Sequence, residues 1–95
     1  MKLKLTRYWF EFVITDEDLR RYQHYGGLRR GCGVTAYTYE DALNVLADKL
    51  FRGEPIPPVR KVIEDVDVST LDAGHVQPNM GVPAWRGVWF PCLNV

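Results

Sequence analysis

Hydrophobic and polar positions follow two rhythms along this chain. Between Thr38 and Phe51 the rhythm is helical: Tyr39, Ala42, Leu43, Leu46, Ala47 and Leu50 fall on one stripe, with Glu40, Asp41, Asn44 and Asp48 opposite. Thr38 is a natural N-cap, with Asp41 at the third helical position. Glu40 and Asp41 place negative charge at the positive end of the helix dipole, and Lys49 and Arg52 place positive charge at the other. Gly53 suits the residue just past the helix, and Pro55 follows. A helix with one apolar stripe needs a surface to lie on.

The second rhythm has a period of two. Over Lys2–Ile14, Tyr8, Phe10, Phe12 and Ile14 share one side, and Arg7, Trp9, Glu11 and Val13 the other. The first set is apolar throughout and should meet the helix. The second set is mixed and should face water or a partner. Gly33–Tyr37 reads as a short strand running into the Thr38 cap. Its small residues Gly31, Gly33 and Ala36 permit close approach by a neighbouring element. Val59–Ser69 reads as a third strand whose imperfect alternation suggests a bulge near Ile63. Ala84–Pro91 reads as a last strand, with Trp85 and Trp89 on one side and Arg86, Val88 and Phe90 on the other.

Two segments break both rhythms. Leu71–Val82 is a loop by composition. Thr15–Gly33 opens like a helix, with Asp16, Glu17 and Asp18 in the first turn, so a short helix over Asp16–Tyr25 is preferred to a long irregular connection. The resulting expectation is an α+β two-layer sandwich. It has about four strands in a mixed or antiparallel sheet, with the main helix Thr38–Phe51 and the shorter helix on one face.

Length and composition narrow this little. The 95 residues suit a single domain with a modest core, and 46% apolar with 25% charged residues is an ordinary globular balance. No apolar run reaches the roughly 18 residues of a membrane helix. Arg7 and Glu11 interrupt the N-terminal apolar stretch, so it makes a poor signal peptide, and the expected compartment is the cytoplasm. Two cysteines, Cys32 and Cys92, form no disulfide framework and are expected to be reduced thiols.

Four groups of residues bear on function. Glu64, Asp65, Asp67, Asp72 and His75 could hold a divalent cation if Asp65 and Asp67 project from one strand face. Tyr8, Trp9, Tyr22, Tyr25, Trp85 and Trp89, with Arg29, Arg30 and Arg86, could stack and neutralise single-stranded nucleic acid, although zero formal net charge weighs against phosphate-dominated binding. Cys32, between two glycines and near Arg29 and Arg30, could be a nucleophile only with a lowered pKa. Finally, Trp9, Met80, Trp85, Arg86 and Trp89 are of the types that anchor protein interfaces. The leading expectation is a non-enzymatic interaction module without cofactor or membrane. It would bind a partner protein or a second copy of itself through the aromatic sheet face and the loop before the last strand. The single-strand binder is the alternative and the metal-dependent enzyme the third reading.

Overall fold

A computed structural model describes residues 4–21, 28, 30–74 and 76–90. Within them four strands form one sheet: β1 (Thr6–Phe12), β2 (Cys32–Ala36), β3 (Val59–Glu64) and β4 (Gly87–Phe90). The spatial order is β3-β1-β2-β4, and each neighbouring pair is antiparallel. The expected α+β fold is therefore present, with the antiparallel form of the sheet. β2 and β3 run in the same direction but do not touch, because β1 lies between them.

Two helices follow from local capping. Helix α1 (Asp16–Arg21) starts on a reciprocal pair: the Asp18 N–H donates to Thr15 Oγ1, and the Thr15 N–H donates to Asp18 Oδ2, both at 3.1 Å. Residues 22–25 of the expected short helix lie outside the described residues. Helix α2 (Tyr39–Val45) starts at Thr38, whose hydroxyl accepts the Asp41 N–H at 3.0 Å. From Leu46 to Phe51 the coil continues in the wider π form. That longer repeat explains a departure from the expected stripe. With bonds reaching five residues, Phe51 falls on the side of Leu46, and both are fully buried while Ala47 is exposed. Arg52, not Gly53, is the first left-handed residue after the coil (φ 49°).

The helix-side core meets the expectation for β1. Tyr8, Phe10 and Phe12 pack with Cys32, Val34 and Ala36 of β2 beneath Ala42, Val45, Leu46 and Phe51. Phe12 meets Phe51 edge-on at 5.9 Å between ring centres, and Phe10 stacks on Phe12 at 5.9 Å.

The opposite face is not open. A second core joins Trp9, Trp89 and Phe90 to Val66 and Val76, with Ile63, Val68, Leu71 and Met80 at its margin. The cover is the chain between β3 and β4. β3 is shorter than the expected Val59–Ser69: it ends at Glu64, and Asp65 takes a left-handed φ of 57°. Val66 then leans back on the sheet, its N–H donating to the Arg7 carbonyl at 3.1 Å while Arg7 Nε donates to the Val66 carbonyl at 3.2 Å. Asp67 caps a 3-10 turn over Val68–Thr70. The Gln77 side-chain amide donates to the carbonyls of Val68, Ser69 and Leu71 at 3.1, 3.2 and 2.9 Å, clasping the cover into shape.

Two bulges decide which residues reach which core. On β3, Glu11 stands opposite Lys61 and Phe12 opposite Val59, so Arg60 is the extra residue, three positions before the expected Ile63. Val59 and Val62 thereby share the helix side, and Ile63 faces the other. On β4, Gly33 pairs with Phe90 and Val34 with Val88, leaving Trp89 as the extra residue. Trp89 and Phe90, expected on opposite sides, both join the second core.

Gly31 and Gly33 make room for this. A Cβ on Gly33 would lie 2.4 Å from the Trp89 ring, and one on Gly31 would lie 2.4 Å from the Trp9 ring. The close approach expected of these small residues is thus made by indoles. Gly33→Ala is expected to lower unfolding free energy by about 2–3 kcal/mol, since a rigid ring must move. Urea titration checks this, and an unchanged midpoint would mean that Trp89 does not sit on Gly33.

Candidate interaction site

The most exposed aromatic among the described residues, Trp85, stands where β2 leads into α2 and β4 begins. Thr35 pairs with Gly87 across the sheet, so Tyr37 and Trp85 lie just beyond the paired residues on neighbouring strands. Trp85 is 73% exposed, Val82 52% and Tyr37 43%. Between them Arg86 grips Asp41 with two hydrogen bonds: Nε to Oδ2 at 2.9 Å and Nη2 to Oδ1 at 2.6 Å. Asp41 Oδ2 also accepts the Tyr37 N–H at 3.0 Å. One carboxylate therefore fastens the start of the helix, the end of β2 and the residue after Trp85. Thr35 Oγ1 holds the same loop further back, donating to the Pro83 carbonyl at 2.5 Å.

These bonds set the electrostatics. The Arg86 guanidinium, with the Tyr37 N–H behind it, lowers Asp41 from 3.8 to about 2. The same contact raises Arg86 above its usual value. The pair stays partly open, with side-chain exposures of 45% for Arg86 and 19% for Asp41, so salt screens it.

The five residues expected to form the binding face do not lie on one surface. Trp9 (4% exposed) and Trp89 (1%) are sealed in the second core, where their ring centres stand 6.0 Å apart. Met80 is half-buried against that core. Of the five, only Trp85 and Arg86 are exposed. The sheet face is closed by the chain's own side chains, because Val66 and Val68, expected in the third strand, and Leu71, Val76 and Met80, of the expected loop, fold back over it. Asp41 and Tyr37, absent from the expected set, complete the surface around Trp85. Their only signal in the sequence is the position of Asp41 in the cap of α2.

The other constellations also change. Asp65 and Asp67 do not share a strand face, since β3 ends before them. Asp67 accepts the Ser69 N–H at 3.0 Å and its hydroxyl at 2.7 Å, and Asp72 accepts the Gly74 N–H at 2.8 Å. Both are turn caps, and His75 lies outside the described residues. Among the described residues no three His, Cys, Asp or Glu side chains are placed to hold a metal ion. Cys32 is buried in the helix-side core as a free thiol, and burial pushes its pKa up, opposite to what a nucleophile needs. Cys92 lies outside the described residues. Tyr8 and Trp9 are each 4% exposed and present no ring to a base, while Tyr22, Tyr25 and Arg29 lie outside the described residues. Among those described, no helix is long and apolar enough to cross a membrane. Comparison with protein families, with curated proteins and with solved structures finds no match to this chain.

Because the Asp41 carboxylate is lowered in the folded state, its pairing stabilises the fold above its ordinary pKa. That contribution is lost as pH falls from about 4 to about 2. Asp41→Asn should therefore unfold with a shallower acid slope over that window than the native chain. Chemical denaturation at pH 5, 3 and 2 tests this. Equal slopes, or a difference that 1 M NaCl leaves untouched, would show that the pair is not what titrates.

Proposed function

We propose that this chain is a small non-enzymatic protein-interaction module of the cytoplasm, binding a partner protein or a second copy of itself through the surface centred on Trp85. The observation that carries the reading is a tryptophan 73% open to solvent on a loop tied down on both sides, by Pro83 and by Arg86. A large ring held by an ordered backbone contacts a partner at low entropy cost, which is why Trp and Arg concentrate at interface hot spots. Exposed Val82 and Tyr37 extend the apolar area, and the Arg86–Asp41 pair gives it a polar border. The aromatic sheet face has no part in the proposal, since Trp9 and Trp89 belong to the core.

Trp85→Ala should leave stability within about 0.5 kcal/mol, because the side chain packs little of itself away. It should at the same time abolish association. The readouts are light scattering over a concentration series, for self-association, and quantitative recovery of proteins from the source lysate on immobilised native and W85A chains. A monomer at every concentration together with identical recovered proteins would end this reading.

A further inference from the structure

The cleft that the cover leaves beside β1 and β3 is ringed by groups already engaged: Arg60 holds Glu11 at 2.5 Å, and Asp72 accepts the Gly74 N–H. Unengaged groups stand at the other end of the sheet, around Trp85. Thr35 pairs with Gly87, and continuing that register places Tyr37 opposite Trp85. A shared carboxylate ties the two positions together. The Tyr37 N–H and Arg86 Nε both donate to Asp41 Oδ2, at 3.0 and 2.9 Å, which brings Tyr37 up to the residue beside Trp85. Neighbouring strands lie roughly 5 Å apart, so the two side chains form one continuous aromatic ledge. Neither the Tyr37 hydroxyl nor the Trp85 indole N–H bonds to another described residue.

Three properties of the ledge select its occupant. The first is area. Trp85 is 73% exposed and Tyr37 43%, on the order of 300 Å² of open surface together, whereas each partner in a standard interface gives roughly 800 Å². A folded second copy needs more than twice what the ledge offers, and a short extended segment does not. The second is charge. Arg86 and Asp41, the charged groups tied to the ledge, neutralise each other, so it presents no free counter-charge to an ion. The third is hydrogen bonding. An indole N–H can only donate and a phenol O–H donates readily, so the pair calls for carbonyl acceptors. We propose that the ledge binds a short proline-rich segment of another protein in the polyproline II conformation. Such a segment lays saturated rings on aromatic faces. Its backbone carbonyls make no internal hydrogen bonds and are open to Trp85 and Tyr37, and it is extended before it binds. The segment comes from a partner, because in this chain's own run at 55–58 Pro57 is buried and Ile56 packs against the helix-side core. The inference rests on Trp85 as an interaction surface and narrows that surface to one partner chemistry.

The test titrates the full chain with acetylated, amidated decaproline, followed by tryptophan fluorescence and by indole and amide NMR resonances. A Gly-Ser peptide of the same length is the control. Decaproline should saturate, shifting the Trp85 indole N–H and the amides of Tyr37 and Gly87 while the indoles of Trp9 and Trp89 stay in place. The Gly-Ser peptide should bind about tenfold more weakly or worse. Trp85→Ala should weaken decaproline binding by about tenfold or more, and Tyr37→Phe, which keeps the ring and loses the donor, by about threefold. Melting temperatures of both variants, unchanged from the native chain, separate lost binding from lost folding. The proposal is overturned by no saturation up to about 5 mM, by equal binding of the Gly-Ser peptide, or by unchanged affinity in Trp85→Ala. It is also overturned by a Trp85 indole shift that follows protein concentration without peptide, which assigns the ledge to a second copy. If decaproline fails while Trp85→Ala still loses proteins recovered from the lysate, the interaction surface stands and the proline-rich partner alone is wrong; if both fail, both readings fall.

Discussion

The packing of two indoles against backbone is the constraint that organises this molecule. Trp9 lies over Gly31 and Trp89 over Gly33, each where a Cβ would lie 2.4 Å from ring carbon. Cys32 between the two glycines points the other way, into the helix-side core. One short strand therefore serves two cores: its small positions admit rings on one side and its apolar positions meet the helix on the other. All five residues of β2 are buried as a result. An indole hides about 200 Å² on burial, so each ring contributes on the order of 5 kcal/mol of gross hydrophobic stabilisation before entropy is set against it.

Once both faces of the sheet are covered, what stays open lies at the edges of the covers. At one edge, the junction of β2, α2 and β4 leaves Trp85 outside and ties its loop to the helix through Arg86 and Asp41. At the other, the loop after β3 does not close fully against β1, and a cleft with mixed charge remains. Both features come from the same segment between β3 and β4, which has too little regular structure to seal every margin.

How much of this could be read from the residues depended on how local the cause was. The alternation in β1 and the apolar stripe of α2 are short-range patterns, as are the caps at Thr15 and Thr38, and the structure keeps them except at Ala47. The lost information lay in departures from periodicity. One extra residue at Arg60 and another at Trp89 reassign faces beyond them, and a widened turn after Val45 replaces Ala47 by Phe51 in the core. The second core was hidden for a different reason. Val66 and Val68 continue the strand alternation past the point where β3 ends, and Leu71, Val76 and Met80 follow no repeat, so nothing local marks them as a covering layer. The grip of Arg86 on Asp41 spans 45 residues and has no local sign at all.

The Trp89 indole N–H is buried and has no hydrogen-bond partner among the described residues. Leaving such a donor dry costs about 1–3 kcal/mol, and that cost disappears when water reaches it. It falls on the side of the sheet roofed by irregular chain. Admitting water beneath the irregular cover of residues 66–74 and 76–83 relieves that cost, so opening on this side is favoured by the same amount.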